Sequence, residues 1–235
     1  MAVILHIETA TQVCSVALSA GGEITQIRES REKNSHSATI TVFIEEVMKR
    51  AGIPFSALDA ISVSMGPGSY TGLRIGVSTA KGICYGLDRP LIAVGTLHAM
   101  AAGMISRNPG TPALPVLLCP MIDARRMEVY TALYSPDLTL FREIRADIIN
   151  ESSFAGELDQ HQVWFFGDGA EKCRPLLGNH PNARFAEDFH PSAAFMISLA
   201  EEKFKRSEFE NVVYFEPYYL KDFIPGIAKV KGLSF

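Results

Sequence analysis

Apolar residues along this chain keep changing their spacing, and each change predicts an element. Val3 to Ile7 is a short apolar run, the mark of a buried strand. Cys14 to Ser19 alternates, Gly21-Gly22 marks a hairpin, and Ile24 to Arg28 returns as a third strand. Ile40, Phe43, Ile44, Val47, Met48 and Ala51 then fall on one face of a helix. Asn34 or Ser35 is placed to cap it, and Gly52 and Pro54 to end it. Ile61, Val63 and Met65 form a fourth strand, followed by a helix to about Gly86. Leu91 to Val94 is a fifth strand, and Thr96 caps a helix to about Ser106.

The loop Asn108-Pro109-Gly110-Thr111-Pro112 predicts a boundary between two halves, 1–108 and 109–235. After it the order repeats. Strands are expected at 116–122, 127–134 and 138–144, a helix near 151–158, a strand at 163–166 and a helix near 170–177. A strand near 183–186 and a helix at 191–206, opened by Pro191, complete it. Both halves read βββαβαβα. Ile7-Glu8 through Ala17-Leu18 lies over Ile122-Asp123 through Ala132-Leu133 at one offset, and Gly66-Pro67-Gly68 matches Gly167-Asp168-Gly169. The expectation is a duplicated α/β fold, with Glu8 and Asp123 entering a central cleft from opposite walls.

Composition narrows the class. Apolar residues make up 47% of 235 and charged ones 20%, which describes a globular chain. MAVILHIETA has no basic leader, and no apolar stretch approaches the ~18 residues of a membrane span, so a cytoplasmic protein is expected. Cys14, Cys84, Cys119 and Cys173 lie far apart without C-x-x-C and read as buried thiols. A net charge of −4 predicts that this chain alone is a poor nucleic-acid binder.

Residues 65–77, MGPGSYTGLRIGV, carry the strongest local signal. The spacing fits neither G-x-S-x-G, nor a Walker loop, nor G-x-G-x-x-G. What remains is a strand, a glycine turn at Gly66, Gly68, Ser69 and Thr71, and a helix N-terminus able to hold an anion. Gly72, Gly76 and Ala80 then recur on one helical face. Each interior glycine costs about 1 kcal/mol of helix stability, so something must approach closely. Packing within the chain and docking of a partner helix both satisfy that. Glu8, Thr9, Thr11 and Ser15 suit a phosphate-facing hairpin or an ordinary turn. Asp123 with Arg125 and Arg126 suits a matching wall or a self-paired surface turn. His6, His36, His98, His161, His180 and His190 form no H-x-x-x-H, so no metal site is expected.

HIETATQVCSVAL, MGPGSYTGLRIGVSTAKGICYG, PLIAVGTLHAMA, IDARRMEVYTALY and EPYYLKD together resemble the TsaB (YeaZ) family, within the TsaD/Kae-like, glycoprotease-like superfamily. The resemblance runs from residue 2 to about 222. It implies the duplicated ribonuclease-H-like fold of actin and the sugar kinases (ASKHA), with the second half reduced. It implies a non-catalytic subunit that binds the transferase TsaD and, with the ATPase TsaE, supports threonylcarbamoyladenosine formation at position 37 of tRNA. Thr96 and Met100 stand where TsaD has its metal-binding histidines. Glu8 stands where the family has Asp, leaving Glu8, Thr9, Thr11 and Asp123 as a vestigial nucleotide cleft. The implied partner surface comprises Gly72, Arg74, Gly76, Thr79, Ala80, His36 and Ile40, serving TsaD or, in isolation, a second copy. The resemblance implies no cofactor for the chain alone, leaves open a nucleotide at the complex interface, and has tRNA met only indirectly, through the complex. The rival reading is a small-molecule phosphotransferase using Glu8 and Asp123 around a metal–nucleotide.

Overall fold

A computed structural model describes residues 1–32, 36–107 and 114–221. The cap at Asn34 or Ser35 and the boundary at 108–109 lie outside the described residues. The first half contains β1 (Val3–Glu8), β2 (Cys14–Ala20), β3 (Glu23–Ser30), α1 (His36–Ala51), β4 (Ala60–Gly66), α2 (Tyr70–Leu87), β5 (Leu91–Gly95) and α3 (Thr96–Ser106). The second contains β6 (Val116–Asp123), β7 (Glu128–Tyr134), β8 (Leu140–Ile148), α4 (Ala155–Gln160), β9 (Gln162–Phe166), α5 (Arg174–Leu177), β10 (Ala183–Phe185) and α6 (Ile197–Lys205).

The first sheet runs β3-β2-β1-β4-β5, and the second runs β8-β7-β6-β9-β10. In each, the first three strands are antiparallel and the last two run parallel to the central one. Equal order and equal sense make this the duplicated ribonuclease-H-like arrangement. The repeat is not rigid. Glu8 faces Ser15, but Asp123 faces Val129 rather than Tyr130, so the second hairpin turn is one residue shorter.

β1 is buried from Ile4 onward because both faces of the sheet are covered. Leu5 and Ile7 pack with Ile44 and Val47 of α1 and Val77 of α2. Ile4, on the opposite face, packs with Ala99 of α3 and with Met196, Leu199 and Ala200 from the second half. Alternate residues of a strand share a face, so His6 and Glu8 lie on the side of Ile4, under the second half.

Several expected boundaries shift. Gly95, not Thr96, is the N-cap of α3, and the Thr96 hydroxyl instead accepts from Gly66 N at 3.1 Å. The last helix starts after Ser192 rather than Pro191, with a 3-10 turn over Ala193–Met196. The 170–177 segment divides into a 3-10 turn and a four-residue helix. Beyond α6 the chain straps back over the first half. Glu210 N donates to Leu91 O at 2.8 Å, Lys81 Nζ donates to Phe215 O at 2.9 Å, and Tyr218 N donates to Met65 O at 2.7 Å.

Candidate functional site

The β1–β2 turn and the N-terminal turns of α2 are pressed together. A Cβ on Gly72 would stand 2.1 Å from Thr9 O, and one on Gly76 would stand 2.2 Å from Thr9 Oγ1. The Thr9 hydroxyl donates to Gly72 O at 2.8 Å, and Ser69 N donates to Ala10 O at 2.6 Å. The glycine spacing thus admits the chain's own hairpin. Gly72 and Gly76 are buried against it and Ala80 is buried in the core of the first half, so none is open to a partner, which corrects the docking interpretation of the stripe.

The same interactions occupy the polar groups of the expected cleft. Glu8 is 0% exposed; its Oε1 accepts from Ala10 N at 2.6 Å and from Ser64 Oγ at 3.0 Å. Its Oε2 is buried with no hydrogen-bond partner among the described residues. Burial pushes the Glu8 carboxyl up to about 7, against the lowering effect of its donors. Thr11 Oγ1 accepts from Val13 N at 3.3 Å, while Thr11 O bonds the His36 ring at 2.8 Å. Ser15 Oγ donates to Glu29 Oε1 at 2.8 Å and accepts from Ala193 N at 2.9 Å. Ser192 Oγ also donates to Glu29 Oε1, at 2.6 Å, so the second half latches onto the sheet here.

The glycine turn is likewise filled. Ser69 caps α2 by accepting from Gly72 N at 3.3 Å. Gly66, at φ 112°, leaves only enough room for the strap, since a Cβ there would stand 2.6 Å from Tyr218 O. Gly68 is closed by Ala10 O, and Thr71 is exposed at the start of the helix.

Asp123 belongs to a separate network. It accepts from Arg125 N at 2.8 Å and pairs with Lys172, while its own N donates to Asp168 Oδ1 at 3.0 Å. Glu8 sits level with Ser64, before the first glycine turn, whereas Asp123 sits beside Asp168, after Gly167. The two acids share no hydrogen-bonding partner among the described residues. A cavity of about 430 Å³ opens at Gly167, lined by Asp168, Arg174, Phe185, Asp188 and His190. Its rim is closed by ion pairs, Arg31 to Asp188 at 2.9 Å and Arg174 to Glu187 at 3.4 Å.

Of the remaining surface candidates, His36 is 8% and Ile40 1% exposed, both inside the first half. Arg74 is exposed, its guanidinium 5.3 Å from the Tyr70 ring centroid and 2.7 Å from the Tyr70 hydroxyl. Thr79 is half-buried and donates to Ile75 O at 2.8 Å. Among the described residues no group of three His, Cys, Asp or Glu side chains could hold a metal ion. Sequence reasoning missed Ser64, Glu29 and Ser192. Ser62 and Ser64 did leave a signal, as two alternating polar residues inside an apolar strand.

A family model described as "TsaD: tRNA N6-adenosine threonylcarbamoyltransferase" matches residues 27–222. The tRNA threonylcarbamoyladenosine biosynthesis protein TsaB of Escherichia coli (strain K12) is 30% identical over 230 residues, covering 93% of this chain and 94% of the relative. The tRNA N6-adenosine threonylcarbamoyltransferase of Jannaschia sp. (strain CCS1) is 40% identical over 84 residues, 36% of this chain and 23% of the relative. Among solved structures, YeaZ from Pseudomonas aeruginosa is 26% identical with a TM-score of 0.77, covering 94% of this chain and all (100%) of that one.

Proposed function

The chain belongs to the TsaB (YeaZ) family of tRNA threonylcarbamoyladenosine biosynthesis proteins, and from that premise we propose that it is a non-catalytic subunit that binds the transferase TsaD. With the ATPase TsaE it would support threonylcarbamoyl transfer to tRNA in the cytoplasm, and in isolation it would pair with a second copy. One observation carries the non-catalytic reading. Thr9, Ser15 and Glu8, which a kinase-type cleft would turn toward phosphate, are already committed inside the chain. Thr9 Oγ1 donates to Gly72, Ser15 joins Glu29 to Ala193, and Glu8 is sealed under the second half. A sealed carboxylate cannot hold a hydrated metal–nucleotide without reopening the core.

With the inner stripe occupied, the partner face on this proposal is the outward side of α2, where Arg74, Ser78 and Gly82 are exposed, with Thr79 beside them. Co-elution with TsaD in size-exclusion chromatography at micromolar concentration is the expected result; two separate peaks would overturn the reading. Calorimetry of the isolated chain with Mg-ATP should give no heat. Tight binding there would support the phosphotransferase reading instead. Any nucleotide belongs, on this proposal, to the complex interface.

A further inference from the structure

We propose that the β6–β7 turn, Asp123 to Glu128, is a phosphate-binding site with Arg125 and Arg126 as its ligands. The choice of RNA as the first source of phosphate rests on the tRNA-modification reading; the phosphate site itself does not.

The backbone supplies the first argument. Arg125 and Arg126 adopt φ of 70° and 47°, two adjacent left-handed residues in a hairpin turn. Asn-Gly and Gly-Gly are the low-strain occupants of such a pair, because bulky side chains crowd the backbone there. Two arginines are a poor choice for stability. The turn is nevertheless fixed, since Ala124 N donates to Glu128 O and Glu128 N to Arg125 O, both at 3.1 Å, and Asp123 Oδ1 accepts from Arg125 N.

Charge supplies the second. Both arginines are exposed, and neither guanidinium has a hydrogen bond or ion pair among the described residues. Arg31, Arg142, Arg174 and Arg206 all pair with carboxylates. The acids beside the turn are already engaged: Asp123 with Lys172, Glu128 with Lys221, and Asp168 with Asp123 N. Lys172 also donates to Glu128 O at 2.7 Å, so it braces both ends of the turn. Two forks of guanidinium donors are thereby presented to solvent beside carboxylates that already have partners, a geometry that matches phosphate oxygens.

The surroundings suit a nucleic-acid strand. Tyr130 follows on β7, close enough that the charges of Lys221 and Arg125 act on its hydroxyl. Tyr219, two residues before Lys221, packs on Tyr70 with ring centroids 4.9 Å apart. Aromatic rings beside a positively charged surface are the usual platform for unpaired bases, and Tyr130 is the ring that Arg125 has beside it. The net charge of −4 is a sum over the whole chain and does not describe this corner.

The test is fluorescence anisotropy of a labelled RNA stem-loop, titrated with the full chain alone and with TsaD, between about 50 and 200 mM salt. Inorganic triphosphate is titrated in parallel. Arg125→Gln with Arg126→Gln should weaken RNA binding about tenfold or more, and lower the slope of log affinity against log salt by about 0.7–0.9 for each phosphate no longer neutralised. Arg125→Asn with Arg126→Gly should raise the melting temperature while weakening RNA binding to the same extent. Triphosphate binding without RNA binding would keep the site and assign it to a free nucleotide. Unchanged affinity and slope in the variants, or no binding of either probe by the wild-type chain, overturns the proposal. Association with TsaD is scored separately, so failure of the subunit reading stays distinguishable.

Discussion

Gly76 of α2 and Thr9 of the β1–β2 turn cannot both carry a full side chain. A Cβ at Gly76 would lie 2.2 Å from Thr9 Oγ1 but 3.4 Å from Thr9 Cβ. The obstacle is therefore the hydroxyl, not the backbone. This makes the pair a sharper probe of the stripe than any partner assay.

Gly76→Ala should destabilise the chain by about 1–3 kcal/mol through overpacking. In a Thr9→Ala background the same change should cost little or even stabilise, because alanine gains about 1 kcal/mol of helix propensity over glycine. Urea denaturation of the four-member cycle reads the coupling directly. Equal costs in both backgrounds would mean that the helix does not rest on Thr9.

The order of elements was legible because its signals are local. Ile40 to Ala51 marks a helix by spacing alone, and Gly21-Gly22 marks a turn. The stripe at Gly72, Gly76 and Ala80 shows only that something comes close, and one helical face does not name its neighbour. The hydrogen bonds that seal the cleft were illegible for a related reason. Ser64 meets Glu8 across 56 residues and Ser192 meets Glu29 across 163. No periodicity encodes pairings of that separation.

Glu8 and His6 should cancel in the pH dependence of stability. Burial raises Glu8 from 4.5 to about 7 and lowers His6 from 6.5 to about 3. Between pH 4.5 and 6.5 the folded chain holds a proton on Glu8 that the unfolded chain has lost, so this group alone makes stability fall as pH rises. Over the same window the unfolded chain holds a proton on His6 that the folded chain lacks, so this group alone makes stability rise with pH. Glu8→Gln should expose the rising limb and His6→Gln the falling one, each by up to about 1.4 kcal/mol per pH unit relative to wild type. Parallel curves for all three proteins would refute the assignment.

Gly82 should behave unlike Gly76. A Cβ at Gly82 meets nothing within 4 Å, and the position is exposed. Gly82→Arg should hold or raise the melting temperature, since arginine is the better helix former. If the outward side of α2 receives TsaD, the same substitution should abolish co-elution. A complex that survives it would move the interface elsewhere.

Ser15 and Ser192 hold the same latch but should differ in cost. Ser15 is 0% exposed and accepts from Ala193 N, so Ser15→Ala leaves a buried donor unpaired, at about 1–3 kcal/mol. Ser192→Ala removes a cap and one bond to Glu29, but Glu29 is exposed and water can replace the donor, so about 1 kcal/mol is expected. Because both hydroxyls converge on Glu29, the double variant should cost less than the two singles together. Loosening the latch should also speed hydrogen exchange at Ala10, whose N–H is held by the sealed Glu8 carboxylate. It should not create affinity for Mg-ATP, because Thr9 and the glycine turn stay closed by α2 and the strap. Nucleotide binding that emerges on Ser15→Ala would show that the latch alone had been hiding a working phosphate cleft.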